Sequence, residues 1–504
     1  MAKAKNDWLK TKRYMHLDLP LEGRRLGWIV AYVKNRKAIA RHSFLPLMRR
    51  TLTAWPYRKN DEGVKVCKAK KRRLTYASHV DSAVFAYYAD KLQAKYEEYL
   101  QQNNLQDVVT AYRKIKSPCR RGNKSSIDFA CDVFQYIKKN LAADTPLAVV
   151  TFDIKSFFDN LDHKILKRNW KRILQVDELP DDEYNVYKNV TRYAYVDELA
   201  IFKHFKDKIL CRKTGGNVVA RKVANKSYLR DRNALAYCLK QNIKEIRDAK
   251  LVYSRNRKGD KDADKGIPQG LPISSVLANL YMMDFDKEAD SLLKEHHGIY
   301  RRYSDDIIIV CPMQAGQELK GSIMAKIADV DLEIQEKKTN LYKFTVEGNR
   351  NVCCHETKGS NKRLEYLGFA FDGTNILLKD ASVSKFYHRM YRNVRRSLYF
   401  ACSIRNNTRG ILFEHRLISR FTYAGAKPHL IYKRAHGSKK FRFVNGAKSY
   451  GNYLTYAHRA AETMGEDNIR RQLRRCNNKL GKAIKAGKEK IERRLSKKQI
   501  LLKA

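Results

Sequence analysis

The chain has 504 residues, 43% of them apolar, so it can bury a sizeable core and fold as two or three packed subdomains. This apolar content excludes a disordered chain. Its 103 lysines and arginines against 53 aspartates and glutamates give a formal net charge of +50 at pH 7. A surplus of this size favours a polyanionic partner, with nucleic acid as the first choice and an anionic membrane surface as the second.

The apolar runs are too short for a membrane protein. The longest, such as Pro146–Phe152 and Ile307–Pro312, have strand length, whereas a membrane helix needs roughly 20 apolar residues. The first residues lack the apolar stretch of a secretory signal. Among the ten cysteines only Cys353-Cys354-His355 forms a cluster, and adjacent cysteines do not make a zinc ligand set by themselves. We therefore expect a cytoplasmic protein with reduced thiols and no membrane partner.

The N-terminal half is predicted to combine helices with one buried strand. A basic, aromatic segment covers residues 1–60, and apolar residues recur at helical spacing over Ser78–Leu100 and Ser125–Leu141. The β-branched and apolar run Leu147–Phe152 predicts a buried strand, which ends at Asp153.

The C-terminal half predicts strands alternating with helices after an irregular stretch. From Asp177 to about Gly266 the sequence is charged, with helix-like pieces and a flexible loop at Arg255–Asp264. The elements predicted beyond it are a helix over about Ser274–Lys294, a strand pair around Ser304–Asp306, a helix around Leu319–Leu332 and a strand pair near Leu364–Phe371. This order indicates an α+β sheet domain.

The C-terminal region is predicted to be helical from Ser384 onward. Its last stretch, Arg470–Ala504, carries 14 lysines and arginines against two glutamates, with isoleucine, leucine and alanine interleaved. This pattern is typical of a basic amphipathic helix or tail. Such a helix can be a solvated face or a contact for RNA or DNA, and both readings stay open.

Three carboxylates are the candidate catalytic residues. Tyr303-Ser-Asp-Asp306 lies between two β-rich runs, which predicts a hairpin with its turn at Asp305-Asp306. Aspartate is an ordinary turn residue, so the hairpin alone says little. Asp153, however, ends a buried strand, where an uncompensated carboxylate costs desolvation energy. Placed beside Asp305 and Asp306 it would crowd three negative charges, which need metal ions to offset them.

Magnesium is the expected cofactor. It takes few carboxylates and keeps its other positions for water and phosphate oxygens, with Mn²⁺ as a substitute. Two such ions about 4 Å apart form the clamp for in-line phosphoryl transfer. Between the carboxylates along the chain lies Lys265–Tyr281, which begins as a loop rich in glycine and proline and leads into a helix. Such a loop lets a base pair or phosphate approach closely, although alone it is equally a helix-entry loop.

Seven segments resemble, in order, the motifs of reverse transcriptases. They are the basic fingers motifs Lys-Lys-Arg-Arg-Leu-Thr (70–75) and Ala-Tyr-Arg-Lys (111–114), motif A Asp-Ile-Lys-Ser-Phe-Phe-Asp-Asn-Leu-Asp-His (153–163), motif B Gly-Ile-Pro-Gln-Gly-Leu-Pro-Ile-Ser-Ser (266–275), motif C Tyr-Ser-Asp-Asp (303–306), motif D Leu-Glu-Ile-Gln-Glu-Lys-Lys-Thr (332–339) and the primer-grip motif E Glu-Tyr-Leu-Gly-Phe (365–369). Seven segments in this order, over roughly residues 70–370, make a specific resemblance.

The resemblance implies roles at the metal site. Asp153 and Asp305 would be the principal metal ligands, assisted by the Ile154 carbonyl, and Asp306 would complete the acidic cluster. Lys338 would protonate the pyrophosphate leaving group, although it is also compatible with an ordinary surface lysine.

The same resemblance implies substrate-binding residues. Phe158 corresponds to the aromatic steric gate, which favours dNTPs by clashing with a ribose 2′-OH. Gln269 and Gly270 would line the nascent base pair. Arg72 and Arg113 would hold triphosphate or template phosphate, to which arginine offers two hydrogen bonds at once.

A right-hand polymerase fold with fingers, palm and helical thumb follows from the resemblance. The expected domains are an N-terminal extension and fingers over 1–145, a palm over 146–383 with an insertion near 177–265, a helical thumb over 384–460 and a basic C-terminal helix or tail over 461–504. The thumb matches only loosely, and the insertion exceeds what a minimal palm needs.

Within the family, the segments Lys12–Pro20 and Tyr76–Ala83 resemble the bacterial stand-alone branch, which includes retron-like and phage-defence enzymes. That resemblance implies an RNA-directed DNA polymerase that makes a DNA product from dNTPs on an associated structured non-coding RNA template, in antiphage defence. It leaves the primer open between nucleic acid and a protein side chain. A homo-oligomer is compatible with the sequence, but a +50 chain repels itself unless RNA neutralises it.

Alternative functions remain at this stage. One is a retron-type or group II intron-derived reverse transcriptase without a defence role. An RNA-dependent RNA polymerase is a second, against which Phe158 and the Pro-Gln-Gly loop argue. A non-catalytic RNA-binding scaffold that retains the fold is the third.

Overall fold

A computed structural model describes residues 7–55, 58–59, 63–66, 69–118, 122–213, 216–255, 263–348, 350–360, 362–402, 411–426, 430–434, 441–448 and 451–501. The fold mixes helices and strands, which confirms the predicted α+β class. Within these residues no helix combines the length and the apolarity needed to cross a membrane. Most of the predicted loop Arg255–Asp264 lies outside the described residues.

The helices of the described residues are α1 (Arg24–Lys34), α2 (Arg36–Ala40), α3 (His79–Gln102), α4 (Ser126–Ala142), α5 (Phe157–Asn160), α6 (His163–Leu174), α7 (Asp181–Thr191), α8 (Glu198–Phe205), α9 (Ile243–Asp248), α10 (Ser274–Tyr281), α11 (Met283–Glu295), α12 (Gly316–Asp329), α13 (Asp380–Ala401), α14 (Glu414–Phe421), α15 (Tyr453–Met464), α16 (Asp467–Leu473) and α17 (Cys476–Leu501). Local signals explain the starts of the two helices predicted first. Ser78 caps α3 by accepting a hydrogen bond from the Asp81 peptide N–H, and Ser125 and Asp128 form a capping box at α4.

The strands are β1 (Leu47–Ala54), β2 (Arg58–Lys59), β3 (Lys65–Val66), β4 (Lys70–Tyr76), β5 (Leu147–Asp153), β6 (Ala194–Asp197), β7 (Ile209–Arg212), β8 (Val218–Arg221), β9 (Ala234–Ala236), β10 (Val252–Ser254), β11 (Ile299–Tyr303), β12 (Asp306–Pro312), β13 (Asn340–Glu347), β14 (Arg350–His355), β15 (Leu364–Tyr366), β16 (Phe369–Phe371), β17 (Ile376–Leu378), β18 (Leu430–Arg434) and β19 (Phe441–Lys448). The region after Ser384, predicted to be helical, thus also contains the antiparallel pair β18–β19.

Backbone contacts divide the chain into two compact units. The first contains Met1–Arg113, Phe152–Ile309 and Gln317–Thr339, and the second contains Lys114–Thr151, Val310–Gly316 and Asn340–Ala504. The first unit holds the end of β5, which continues into α5, together with β11 and the first four residues of β12. In the second unit β5 pairs antiparallel with β13, and β13 with β14. The strands β15, β16 and β17 form a separate sheet there.

The described residues of the segment 177–265 belong to the first unit. Its described residues contain the helices α7, α8 and α9 and the strands β6 to β10, of which the sequence predicted only helix-like pieces, and β6 pairs in parallel with β1. Buried apolar side chains from the segment, among them Phe205 of α8, share one core with Met48 of β1. The segment therefore extends the sheet of the N-terminal region.

Replacing Phe205 with alanine is expected to lower the free energy of unfolding of the first unit by about 3–5 kcal/mol, because the fully buried ring leaves a cavity. The matched control is Leu199→Ala on the same helix, where the side chain is 50% exposed and the expected change is about 0.5 kcal/mol. Urea unfolding followed by tryptophan fluorescence measures both. Equal stability of the two variants would show that the segment has no core of this kind.

Candidate active site

The backbone brings two of the predicted metal ligands together. Asp153 is the last residue of β5, and the next peptide N–H, that of Ile154, donates a hydrogen bond to the Asp305 carbonyl at 3.2 Å. Asp305 lies in the two-residue loop Ser304–Asp305 that joins β11 to β12. The turn predicted at Asp305-Asp306 is therefore one residue too late, and Asp306 is the first residue of β12.

The Ile154 carbonyl is oriented by its neighbours. The Lys155 N–H donates to Glu333 and the Gln335 N–H donates to Asp153, both at 2.8 Å, so Ile154 forms an antiparallel bridge with Ile334. In extended backbone the N–H and C=O of one residue point to the same side. The Ile154 N–H points to Asp305, and the Ile154 carbonyl therefore faces the same side as the turn that carries Asp305.

Lys338 contacts a predicted metal ligand directly. Its ammonium Nζ lies 2.9 and 3.0 Å from the two carboxylate oxygens of Asp153. The lysine side chain is 46% exposed and the aspartate 23%, so the pair is solvated and contributes modestly to stability. The ammonium nevertheless offsets the charge of Asp153, so this carboxylate is compensated in the folded chain without a metal ion.

The donor set fits a hard divalent cation. Among the described residues, no three histidine, cysteine, aspartate or glutamate side chains are gathered closely enough to hold a metal ion in the observed arrangement. The backbone that follows Asp153 is nevertheless hydrogen-bonded to the Asp305 carbonyl, and the Ile154 carbonyl faces the same side as that turn. Oxygen donors in small number are what Mg²⁺ takes. Binding would require Lys338 to release Asp153.

A buried ion pair lies beneath the turn. Arg302 has no exposed surface, and its Nε and Nη2 donate to the two carboxylate oxygens of Asp286 at 2.7 and 2.6 Å. Its Nη1 donates to the Ser304 carbonyl at 3.3 Å and to Asn279 at 3.2 Å. Burial alone would lower the pKa of Arg302, but the attraction of Asp286 raises it. The guanidinium is thus charged and holds the turn from below.

Tyrosines complete this support. Tyr300 donates a hydrogen bond to Asp286 at 2.7 Å, and burial together with that carboxylate raises the pKa of the Tyr300 phenol well above its usual value. The Tyr112 hydroxyl lies 3.1 Å from the Ser304 hydroxyl. Ser304 has a φ of 62°, a conformation that costs free energy for a residue with a side chain. These contacts hold the strained loop in place.

The predicted base-pair loop is fixed against the two neighbouring motifs. The Ile267 N–H donates to the Phe158 carbonyl at 2.8 Å, and the Thr75 N–H donates to the Gln269 carbonyl at 2.9 Å. Gly270 has a φ of +120°, and a Cβ there would lie 2.4 Å from the Thr75 carbonyl oxygen. Glycine is therefore required at this position. Phe158, Gln269 and Gly270 lie in the same unit as Asp153 and Asp305.

The two predicted phosphate-binding arginines are placed differently. Arg113 is 4% exposed and donates to both carboxylate oxygens of Glu97, at 2.6 to 3.1 Å, and to the Val109 carbonyl. This ion pair gives Arg113 a structural role. The Thr75 hydroxyl donates to the Gln269 carbonyl. Arg72 lies three residues before Thr75 in β4, so its side chain lies on the opposite face of the strand.

Arg73 is the cation that sequence reasoning missed. It lies two residues from Thr75 in β4 and is exposed, so its side chain shares the face that meets the base-pair loop. In the sequence, Arg73 could have been found because residues two apart in a strand share a face. This inference, however, requires the contact between Thr75 and Gln269 to be known.

A hairpin that carries paired aspartates, hydrogen-bonded beside a strand-end aspartate, is the arrangement that the sequence resemblance leads one to expect of a reverse transcriptase. Comparison with protein families agrees: residues 222–371 match the family described as reverse transcriptase (RNA-dependent DNA polymerase). The chain contains a reverse transcriptase domain. A comparison with curated proteins finds no match.

Among solved structures, the chain is similar to telomerases of two Candida species. Apo telomerase of Candida tropicalis aligns at 11% identity and a TM-score of 0.37, over 77% of this chain and 58% of that one. Telomerase of Candida albicans, in complex with a fragment of telomeric RNA, aligns at 12% identity and a TM-score of 0.36, over 73% of this chain and 54% of that one. The chain thus spans little more than half the length of these telomerases.

Arg302→Met is expected to destabilise the first unit by about 3–5 kcal/mol, because it leaves the Asp286 carboxylate buried without its partner. Adding Asp286→Leu should restore much of the lost stability, since no buried charge then remains. The control Arg168→Met breaks an exposed ion pair with Asp284 and should cost at most about 1 kcal/mol. Chemical denaturation measures all three variants, and a double variant no more stable than Arg302→Met would contradict the argument.

Proposed function

We propose that the chain is an RNA-directed DNA polymerase that copies an RNA template into DNA from dNTPs. The observation that carries the proposal is the hydrogen bond between the Ile154 N–H and the Asp305 carbonyl, in a chain that contains a reverse transcriptase domain. It joins the strand end that carries Asp153 to the turn that carries Asp305. Such a pairing is what a two-cation site for phosphoryl transfer needs.

The residues divide the work of nucleotide addition. Asp153 and Asp305, with the Ile154 carbonyl and Asp306, would hold two Mg²⁺ ions, for which Mn²⁺ can substitute. When bound, these ions supply the Lewis acidity for attack by a 3′-oxygen and departure of pyrophosphate. Lys338, freed from Asp153, would lie beside the leaving group as its proton donor.

The nucleotide pocket is proposed to lie between Phe158 and the loop of Gln269 and Gly270. The loop is joined to Phe158 by the Ile267 N–H, which donates to the Phe158 carbonyl, and Phe158 lies five residues after Asp153. A fixed ring at Phe158 would exclude a 2′-hydroxyl, and the absence of a side chain at Gly270 leaves room for a base pair. Arg73, more than Arg72 or Arg113, is placed to meet a phosphate on this side.

The subdomain arrangement, the template and the biological role are proposed on the basis of the sequence resemblance. The right-hand arrangement of fingers, palm and thumb, an associated structured RNA as template and a role in bacterial antiphage defence form the finer part of the proposal. The charge of +50 supports an RNA partner. Whether synthesis starts from a nucleic acid or from a protein side chain is decided by protease treatment, because a covalent product changes its mobility when the protein is digested.

Asp305→Ala combined with Asp306→Ala is expected to reduce DNA synthesis by roughly a thousandfold or more, because the cation clamp supplies several kcal/mol to the transition state. RNA affinity should change less than about twofold, since it depends on the basic surface. Primer extension and RNA binding are measured in parallel. Asp107→Ala with Asp231→Ala removes the same charge from two exposed positions and should leave synthesis unchanged. Undiminished synthesis in the Asp305–Asp306 variant would refute the proposed mechanism, whereas a wild type that binds RNA but makes no DNA would favour the scaffold function.

Phe158→Ala is expected to increase incorporation of rNTPs relative to dNTPs by roughly tenfold or more, because removing the ring opens space for the 2′-hydroxyl. Phe158→Leu, which keeps most of the bulk, is the matched control and should retain the preference for dNTPs. Competition between a dNTP and the corresponding rNTP in primer extension measures the ratio. A wild-type preference for rNTPs would remove the basis for the gate and favour an RNA polymerase.

A further inference from the structure

The segment 177–265 builds one half of a four-stranded sheet. The strand order is β10-β6-β1-β4, with β6 parallel to β1 and antiparallel to β10. Tyr195 of β6 pairs directly with Tyr253 of β10 on one side and with Leu47 of β1 on the other. The segment thus adds two strands to the sheet that carries the basic motif of β4.

The two faces of this sheet have different partners. Met48, Val196 and Val252 pack on the apolar core of the segment, so they define the inner face. Side chains alternate along a strand, and the neighbouring residues Tyr195 and Tyr253 therefore lie on the outer face. Sequence alone suggested no purpose for these tyrosines.

An aromatic and cationic stack covers the outer face. The ring centroids of Tyr195 and Tyr253 lie 5.5 Å apart with an interplanar angle of 21°. On the other side, the guanidinium of Arg49 from β1 lies 3.9 Å from the centroid of the Tyr195 ring. Tyr195 is therefore held in contact with both of its neighbours. Tyr253, on the edge strand, is 45% exposed and offers a ring to further partners.

The outer face continues to the catalytic region. Arg255 follows β10 and donates hydrogen bonds to the Asp159 carboxylate and to the Tyr193 hydroxyl, both at 3.2 Å. Asp159 directly follows the proposed gate Phe158. At the other end of the sheet Thr75, which pairs with Arg49, contacts Gln269 of the base-pair loop. The aromatic stack is thus flanked on both sides by elements of the candidate active site.

Exposed cations lie on the same face of β4. Arg73 and Lys71 lie two and four residues before Thr75 in β4, so their side chains share its face, and both are exposed. Rings that offer a flat surface, beside a row of positive side chains on one sheet face, form the arrangement that binds unpaired nucleic acid by base stacking and phosphate contact. A duplex has its bases already stacked and paired, so it could use the cations but not the rings.

We propose that the outer face, formed by Arg49, Tyr195, Tyr253, Arg73 and Lys71, binds an unpaired RNA strand. A base stacks on the exposed ring of Tyr253, which Tyr195 and Arg49 hold in place, and backbone phosphates lie against Arg73 and Lys71. Identifying this strand as the template ahead of the copied nucleotide rests on the proposed function. Binding of the strand itself does not.

The test measures RNA affinity directly. A fluorescently labelled oligoribonucleotide of alternating adenosine and cytidine, which cannot pair with itself, is titrated with the full chain and followed by anisotropy. Tyr195→Ala with Tyr253→Ala is expected to weaken binding by about fivefold to a hundredfold, the range for losing one base–aromatic stack. Tyr195→Phe with Tyr253→Phe keeps the rings and should bind like the wild type. Tyr228→Ala removes a tyrosine that is 52% exposed elsewhere in the segment and should have no effect.

A blunt RNA–DNA duplex serves as the second probe. Its affinity should be the same for the alanine variant and the wild type, because it has no unpaired base to stack. By contrast, Arg73→Gln should weaken the single strand and lower the slope of log affinity against log salt by about 1. Unchanged single-strand binding by the alanine variant overturns the inference, and so does an equal loss for duplex and single strand. If the alanine variant loses single-strand binding and the wild type makes no DNA, the first result supports the inference and the second refutes the proposed function.

Discussion

Beneath the turn that carries Asp305 lies a guanidinium without solvent exposure, bound through two nitrogens to a buried carboxylate. Removing both charges from water is costly, and the pair stabilises the fold only while its geometry and its additional hydrogen bonds are complete. Those additional bonds go from Arg302 to Ser304 and Asn279, and Tyr300 satisfies Asp286. A displacement of the turn would leave one of these groups unpaired, so the cost of burial fixes the position of the turn.

The carboxylates proposed to bind the cations are consequently positioned by backbone hydrogen bonds. Ile154 is held between the Asp305 carbonyl on one side and the bridge to Ile334 on the other. The backbone segments that carry Asp153 and Asp305 are therefore fixed in register. The charge of Asp153 is balanced differently, by the partly exposed Lys338. A solvated ion pair is weak enough to exchange for a metal ion. A site that binds and releases cations needs a rigid backbone, which the Arg302–Asp286 pair supports here, and a counter-charge that can exchange for a metal ion, which Lys338 provides.

The sequence predicted those parts of the site that depend on local signals. Helical spacing of apolar residues located α3 and α4, and the apolar run before Asp153 located the end of β5. The turn was placed one residue late because the positive φ of Ser304 is held by Arg302 and Tyr112, and residue type alone carries no sign of it. Arg113 pairs with Glu97, sixteen positions earlier, a contact that only the packing of α3 creates.

The segment 177–265 shows the same limit on a larger scale. Its strands β6 and β10 are four and three residues long, too short for alternation to be visible, and β6 pairs in parallel with a strand that lies far earlier in the chain. Parallel pairing depends on a long crossover connection and is therefore determined by tertiary packing. Because β1 joins this segment to β4, a change in its register would move the aromatic stack and the Thr75–Gln269 contact together. The surface proposed for the unpaired strand thus lies on this sheet, and the loop proposed for the base pair is hydrogen-bonded to its edge strand β4.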